Sequence, residues 1–241
     1  MAELLVGTSG WHYQHWKDIF YPSDLKTRDW LSFYARHFPT VEINNSFYHL
    51  PARETFASWR SNTPEEFTFA VKANRFITHV KRLKDPEEPL SRFFQSAAGL
   101  GKKLGPILFQ LPPRWKAVPE RLRDFVRCLP LGYRYVFEFR DPSWFLPEIY
   151  RILEDGNCAL CAASSPAFPE VRRATADFAF LRFHGGKILY GSKYSREELA
   201  EWAAYARSLL AEGRDVYAYF NNDAYGYALE DARFFLHLSQ T

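Results

Sequence analysis

Tyr135-Val136-Phe137-Glu138-Phe139-Arg140-Asp141 is a run of β-favouring residues that ends in three charges. Side chains alternate along a strand, so Glu138 and Arg140 share one face while Phe137 and Phe139 share the other. A strand apolar along its length and charged at its exit suits a fold in which strands run out into a common site. Seven other stretches have the same character: residues 4–8, 40–44, 67–72, 106–110, 158–163, 178–183 and 216–220, with the quoted run lying in 133–139.

Helical patterns separate most of these runs. Within residues 25–38, Trp30, Tyr34 and Phe38 recur every fourth position on one face. Residues 53–60 and 119–128 fit short helices, 90–103 a longer one and 227–238 a closing one. Ser195-Arg-Glu-Glu198 has the form of a capping box that opens a helix running through Trp202, Tyr205 and Leu209. Strands alternating with helices predict parallel pairing with right-handed crossovers, and eight such units close a barrel with a filled interior. The expected fold is an α/β protein, one (β/α)8 TIM barrel over residues 1–241, with its site at the C-terminal strand ends. The doubly wound open sheet fits less well: Gly7-Thr-Ser-Gly-Trp11 lacks the glycine fingerprint of a dinucleotide site, and there is no Walker-type phosphate loop.

Composition sets outer bounds. The chain has 241 residues, 47% hydrophobic and 24% charged, enough apolar material for a large core. A net charge of +3 gives weak support to an anionic partner and falls short of a nucleic-acid footprint. The basic stretch Lys72, Arg75, Lys81, Arg82 and Lys84 is followed directly by Asp85, Glu87 and Glu88 and reads as a solvated face. No apolar run is long enough to span a bilayer, and Met1 leads into a strand-like segment rather than a signal peptide, so a cytoplasmic location with no membrane partner is expected. Cys158 and Cys161 have redox-like spacing, but their apolar surroundings make them buried structural residues.

The strand tips carry the chemistry. The second run ends in Glu42-Ile-Asn44, with Glu42 and Asn44 on one face; the third ends at Lys72 and Asn74; the fourth at Gln110 before two prolines. The seventh delivers Arg182 and His184 to one face, and the eighth Tyr217, Tyr219 and Asn221, followed by Asn222 and Asp223. Buried charges persist only when they pair, meet water or bind a ligand. The alternative to a ligand site is an internal ion lattice in which Arg140 neutralises Glu138, and Lys72 or Arg182 neutralises Glu42.

With these tips in place, the chain resembles the prokaryotic family catalogued as domain of unknown function 72, also called YecE-like. The resemblance rests on seven motifs in order: Val6-Gly-Thr-Ser-Gly-Trp11, Val41-Glu-Ile-Asn-Asn-Ser-Phe-Tyr48, Phe69-Ala-Val-Lys-Ala-Asn74, Leu108-Phe-Gln-Leu-Pro-Pro113, the segment of Glu138, Arg140 and Trp144, Arg182-Phe-His-Gly185 and Tyr219-Phe-Asn-Asn-Asp223. It implies a TIM barrel loosely related to sugar isomerases. Lys187-Ile-Leu-Tyr190 is less aromatic than the family's usual stretch at that point.

The expected function is acid/base or electrostatic catalysis on a small polyhydroxylated, anionic, sugar- or sugar-phosphate-like molecule. Glu42, Lys72, Glu138 and His184 are the candidate catalytic residues. Arg140 and Arg182 would hold anionic oxygens, and Asn44, Gln110, Asn221, Asn222, Asp223, Trp11, Tyr48 and Trp144 would complete the substrate site. Mg2+ or Mn2+ held by Glu42, Glu138, His184 and Asp223 is a weaker option, because the ring offers as many cations as carboxylates. His12 and His15 lack a third ligand and read as loop residues. Lys72 as a Schiff-base lysine and Glu42 with Glu138 as a glycosidase pair are further options. The alternative class is a non-catalytic binder of a nucleotide or single-stranded nucleic acid, in which Trp11, Tyr48 and Trp144 stack on bases beside the basic tips.

Overall fold

The computed structural model describes residues 1–240 and contains eight strands in one sheet: β1 (Leu4–Thr8), β2 (Thr40–Ile43), β3 (Thr68–Lys72), β4 (Leu104–Gln110), β5 (Tyr135–Glu138), β6 (Cys158–Ser164), β7 (Phe178–Phe183) and β8 (Asp215–Phe220). All neighbouring pairs are parallel, and β1 pairs with β8 so that the order runs around an almost closed barrel. The helices are α1 (Trp30–Tyr34), α2 (Arg53–Ser61), α3 (Glu87–Ala97), α4 (Pro119–Arg127), α5 (Pro147–Asp155), α6 (Arg196–Ala211) and α7 (Tyr227–Gln240). The expected barrel is therefore the observed one.

Three departures have local causes. The helix expected over 25–38 shrinks to a short turn followed by α1, in a segment packed by its aromatic rings: Trp30 stacks on Tyr21 at 4.5 Å and Tyr34 on Phe38 at 5.0 Å. The helix over 147–155 was not foreseen, although Pro147 opens it at a position where its missing N–H costs nothing. No helix joins β6 to β7. There the chain instead lies along β6, with Thr175 Oγ1 accepting from Leu160 N at 2.8 Å and donating to Cys158 O at 2.7 Å. The Ser195 capping box is present with both of its reciprocal bonds.

Alternation divides the core in two. Val6, Phe69, Phe109, Phe137 and Phe183 belong to the outer cluster between strands and helices. The barrel interior holds Phe178, Phe180, Tyr217 and Tyr219 from β7 and β8, with Ala159, Cys161 and Ala163 from the neighbouring β6 and Ala70 from β3, so large side chains fill space left by small ones. Cys158 and Cys161 are buried and Cys128 is exposed, all three as free thiols.

The seam between β1 and β2 is the one place where the ladder thins, to a single bridge between Ser9 and Glu42. Gly7 makes the approach possible, since a Cβ there would lie 2.1 Å from Thr40 O. The Tyr34 hydroxyl stitches the gap, accepting from Thr8 N at 2.9 Å and donating to Thr40 O at 3.1 Å. Tyr34→Phe strands two buried backbone groups, and the expected loss is about 1–3 kcal/mol in a denaturant titration. A loss below a few tenths of a kcal/mol would show that the seam closes without the hydroxyl.

Candidate active site

At the C-terminal end of the barrel, just above the aromatic plug, the charged strand tips meet. Arg182 of β7 lies at the centre and is fully buried, as are Glu42, Glu138 and His184. Its guanidinium forks onto Glu42, with Nε to Oε2 at 2.8 Å and Nη2 to Oε1 at 2.7 Å. Its third nitrogen, Nη1, donates to Glu138 Oε2 at 2.5 Å. The other oxygen of Glu138 accepts from Gln110 Nε2 and Arg140 Nε, each at 2.8 Å. One planar cation thus locks β2, β5 and β7 together. This is a task for arginine, whose fork can serve two carboxylates at once.

The lattice fixes protonation states. Burial pushes the Glu138 carboxyl up, but Arg182 and Arg140, with His184, outweigh burial and hold it well below the usual carboxylate range. Burial drives His184 the other way, down to about 4, against the pull of Glu138, so its imidazole is neutral at pH 7. Its Nδ1 meets Asn221 Nδ2 at 3.2 Å, and its Nε2 lies 3.6 Å from Glu138 Oε2. An ionised carboxylate and a neutral imidazole with no exposure are poor proton shuttles.

Lys72 is different. The residue is 8% exposed, and its Nζ makes no hydrogen bond or ion pair among the described residues; the Phe47 ring lies 4.0 Å away. Burial, then the positive field of Arg182, lowers its ammonium to about 7, with Glu138 and Glu42 opposing and Arg140 assisting. The arithmetic of charge adds to burial. Arg182 and Arg140 balance Glu42 and Glu138, so the lysine is left over as an unmatched cation. At pH 7 it is close to half protonated, the condition for giving or taking a proton.

Other groups converge on the same end. Arg140 is stacked 4.7 Å over Phe168, and its Nη2 donates to the Tyr190 hydroxyl at 3.3 Å. Tyr190 also packs edge-on to His184. His79 is lowered to about 4 by burial and by the cations Lys72, Arg75, Arg140 and Arg82. Ser9 Oγ and Asn44 Oδ1 are buried and have no hydrogen-bond partner. Ser9, Phe47, His79, Phe168 and Tyr190 were not singled out from sequence, because all five lie in the segments between strands and helices and no strand periodicity points at them. The positive φ of Gly185, at 103°, was the available signal for Tyr190: it marks a sharp turn that folds that loop back over the barrel.

The remaining sequence candidates are placed elsewhere. Trp144 is fully buried outside β5, stacked on Phe139 at 5.0 Å with Nε1 donating to Trp115 O at 2.6 Å. Trp11 packs edge-on to Trp59. Asn222 is buried and donates to Ser192 O at 3.0 Å and Asp231 Oδ2 at 2.7 Å, tying the loop after β7 to α7. Asp223 accepts from Trp16 Nε1 at 2.6 Å and pairs with His15 at 2.9 Å, joining the loops after β8 and β1; burial raises it to about 6. Asp223 is thus engaged apart from Glu42 and Glu138, and no group of three or more His, Cys, Asp or Glu suited to a metal occurs among the described residues. Tyr48 is 64% exposed on the rim.

That rim carries exposed apolar side chains. Ile19, Tyr48, Phe76, Val80, Leu146, Ile188, Tyr190 and Tyr225 are exposed and all lie on segments leaving the C-terminal ends of strands.

The same arrangement of barrel and strand tips places the chain among known proteins. Residues 5–241 match the family described as "Protein of unknown function DUF72". The chain belongs to the DUF72 family. UPF0759 protein YunF of Bacillus subtilis is 29% identical over 98% of this chain and 94% of its own length. UPF0759 protein YecE of Escherichia coli K12 is 29% identical over 59% of this chain and 50% of its own. A DUF72 family protein of Thermotoga maritima superposes with a TM-score of 0.90 at 30% identity, covering 99% of this chain and all of its own. Beyond DUF72 the likeness is of fold alone: SacUVDE gives a TM-score of 0.56 at 12% identity, covering 100% of both chains. No described helix is long and apolar enough to cross a membrane.

Proposed function

We propose that this DUF72 protein is an enzyme that transfers protons on a small, polyhydroxylated, anionic molecule, with Lys72 as the proton-transferring group. The observation that carries this proposal is the Lys72 amine: buried, unpaired and lowered to about 7 beside Arg182 and Arg140. Arg140 would hold an anionic oxygen, while Asn44, Gln110 and Asn221 orient hydroxyls. Glu42, Glu138 and His184 would act through Arg182 and set the field in which Lys72 titrates. The test is a thermal-shift series with glycerol phosphate, gluconate and ribose phosphate, on the native protein and on Lys72→Met. At least one compound is expected to raise the melting temperature of the native protein only. If none does, a pocket for such molecules is excluded.

A second function has its own support in the rim. Exposed Tyr48, Phe76 and Tyr225 lie on the loops beside exposed Arg75 and Lys187, a combination suited to stacking and gripping a single strand of nucleic acid. A gel shift that weakens steeply with salt would favour it, and the absence of a shift at low salt would dismiss it.

A further inference from the structure

We infer that Lys72 forms an imine with a small anionic aldehyde or ketone. This rests on the active site proposed above and names the substrate class it would take. The amine has no partner to hold its proton: Glu42 faces it from β2 but is doubly bonded to Arg182, and Glu138 faces it from β5 but is shared among Arg182, Arg140 and Gln110. The Phe47 ring walls one side of the nitrogen. Arg182 from β7, Arg140 after β5 and His79 after β3 complete the titratable surroundings; the two guanidiniums cannot accept a proton, and His79 is neutral at pH 7 and adds no negative charge to hold an ammonium. The lowered ammonium leaves a substantial fraction of free amine at neutral pH, which an ordinary surface lysine lacks.

Recognition of the anion is provided alongside. Arg140 commits Nε to Glu138 and Nη2 to Tyr190, while its Nη1 makes no hydrogen bond among the described residues. Ser9 Oγ and Asn44 Oδ1 are buried without partners, as groups reserved for a ligand would be. The step balances without an oxidant or reductant. The nitrogen lone pair adds to the carbonyl carbon, and the carbonyl π pair moves to oxygen, which takes up the proton lost from nitrogen. With one further proton from solvent that oxygen leaves as water, and the nitrogen lone pair closes the C=N bond of the iminium.

The full chain is treated at pH 7 with sodium cyanoborohydride and, in separate arms, formaldehyde, glyoxylate, pyruvate and dihydroxyacetone phosphate. Modified lysines are then mapped by peptide mass spectrometry. Lys72 is expected to react at least about tenfold faster than exposed Lys17 and Lys26 with formaldehyde and with at least one anionic carbonyl. Arg140→Gln should slow the anionic arm by a larger factor than the formaldehyde arm, which reads any change in the amine itself. Equal labelling of Lys72 and the surface lysines by formaldehyde overturns the imine. Selective labelling by formaldehyde alone overturns the substrate class. If trapping fails while gluconate or glycerol phosphate still stabilises the protein in a Lys72-dependent way, the imine falls and proton transfer stands.

Discussion

Arg182→Met is expected to destabilise the protein by about 3–5 kcal/mol, because it removes the one cation that neutralises Glu42 and leaves Glu138 with Arg140 alone. For a chain of this size that corresponds to a fall of roughly 10 °C in melting temperature, readable by calorimetry or circular dichroism. Arg182→Lys should recover only part of the loss, since an ammonium cannot fork onto two carboxylates. The lattice also fixes an acid limit. Glu138 titrates below its unfolded value, so its contribution is complete above that value and is lost as pH falls through the folded one. In Arg182→Met the Glu138 carboxyl loses its largest attraction, and acid unfolding should begin at higher pH than in the native protein. A variant as stable as the native chain would mean that water enters and replaces the guanidinium.

Lys72→Met is expected to abolish ligand stabilisation while making the protein more stable at neutral pH. The sign follows from linkage. Lys72 titrates near 7 in the folded chain against an ordinary value of 10.5. The unfolded state therefore binds more proton between those values, and the lysine costs stability there. The cost is largest at and below pH 7, amounts to a few kcal/mol at about 1.4 kcal/mol for each tenfold change in proton affinity, and vanishes as pH rises to 10.5. Melting temperatures of the two proteins, measured at pH 7 and pH 10, should differ most at pH 7 and converge at pH 10. Equal stabilities at pH 7 would show the ammonium to be charged and solvated in the native state. A residue that costs stability and makes no bond is one whose presence needs a function to explain it.

The strand runs were legible because a barrel strand is short, apolar and alternating; the predicted 4–8 and 178–183 coincide with Leu4–Thr8 and Phe178–Phe183, and the others differ by one or two residues at their ends. Alternation likewise gave the shared faces of Glu42, Glu138, Arg182 and His184, and position at a strand end gave Lys72 and Gln110, six side chains that do converge. Sequence placed Trp144 and Asn222 near the site because they follow charged tips, yet one faces the outer layer and the other anchors α7. Loops have no period, so the direction of a loop side chain is set by what it packs against rather than by its position.

The order of elements, the closure into a barrel and the set of charged groups at its mouth were determined by the sequence alone, since they depend on local pattern and on a side-chain period of two. Which charge pairs with which was decided only in three dimensions. Either Lys72 or Arg182 can neutralise Glu42 on paper. The barrel's curvature sets Arg182 across from both Glu42 and Glu138, where one planar cation satisfies two carboxylates, and leaves Lys72 beside Phe47 with no partner. An ion pair requires both atoms within a few ångströms, and residues 140 positions apart acquire that distance only when the sheet closes.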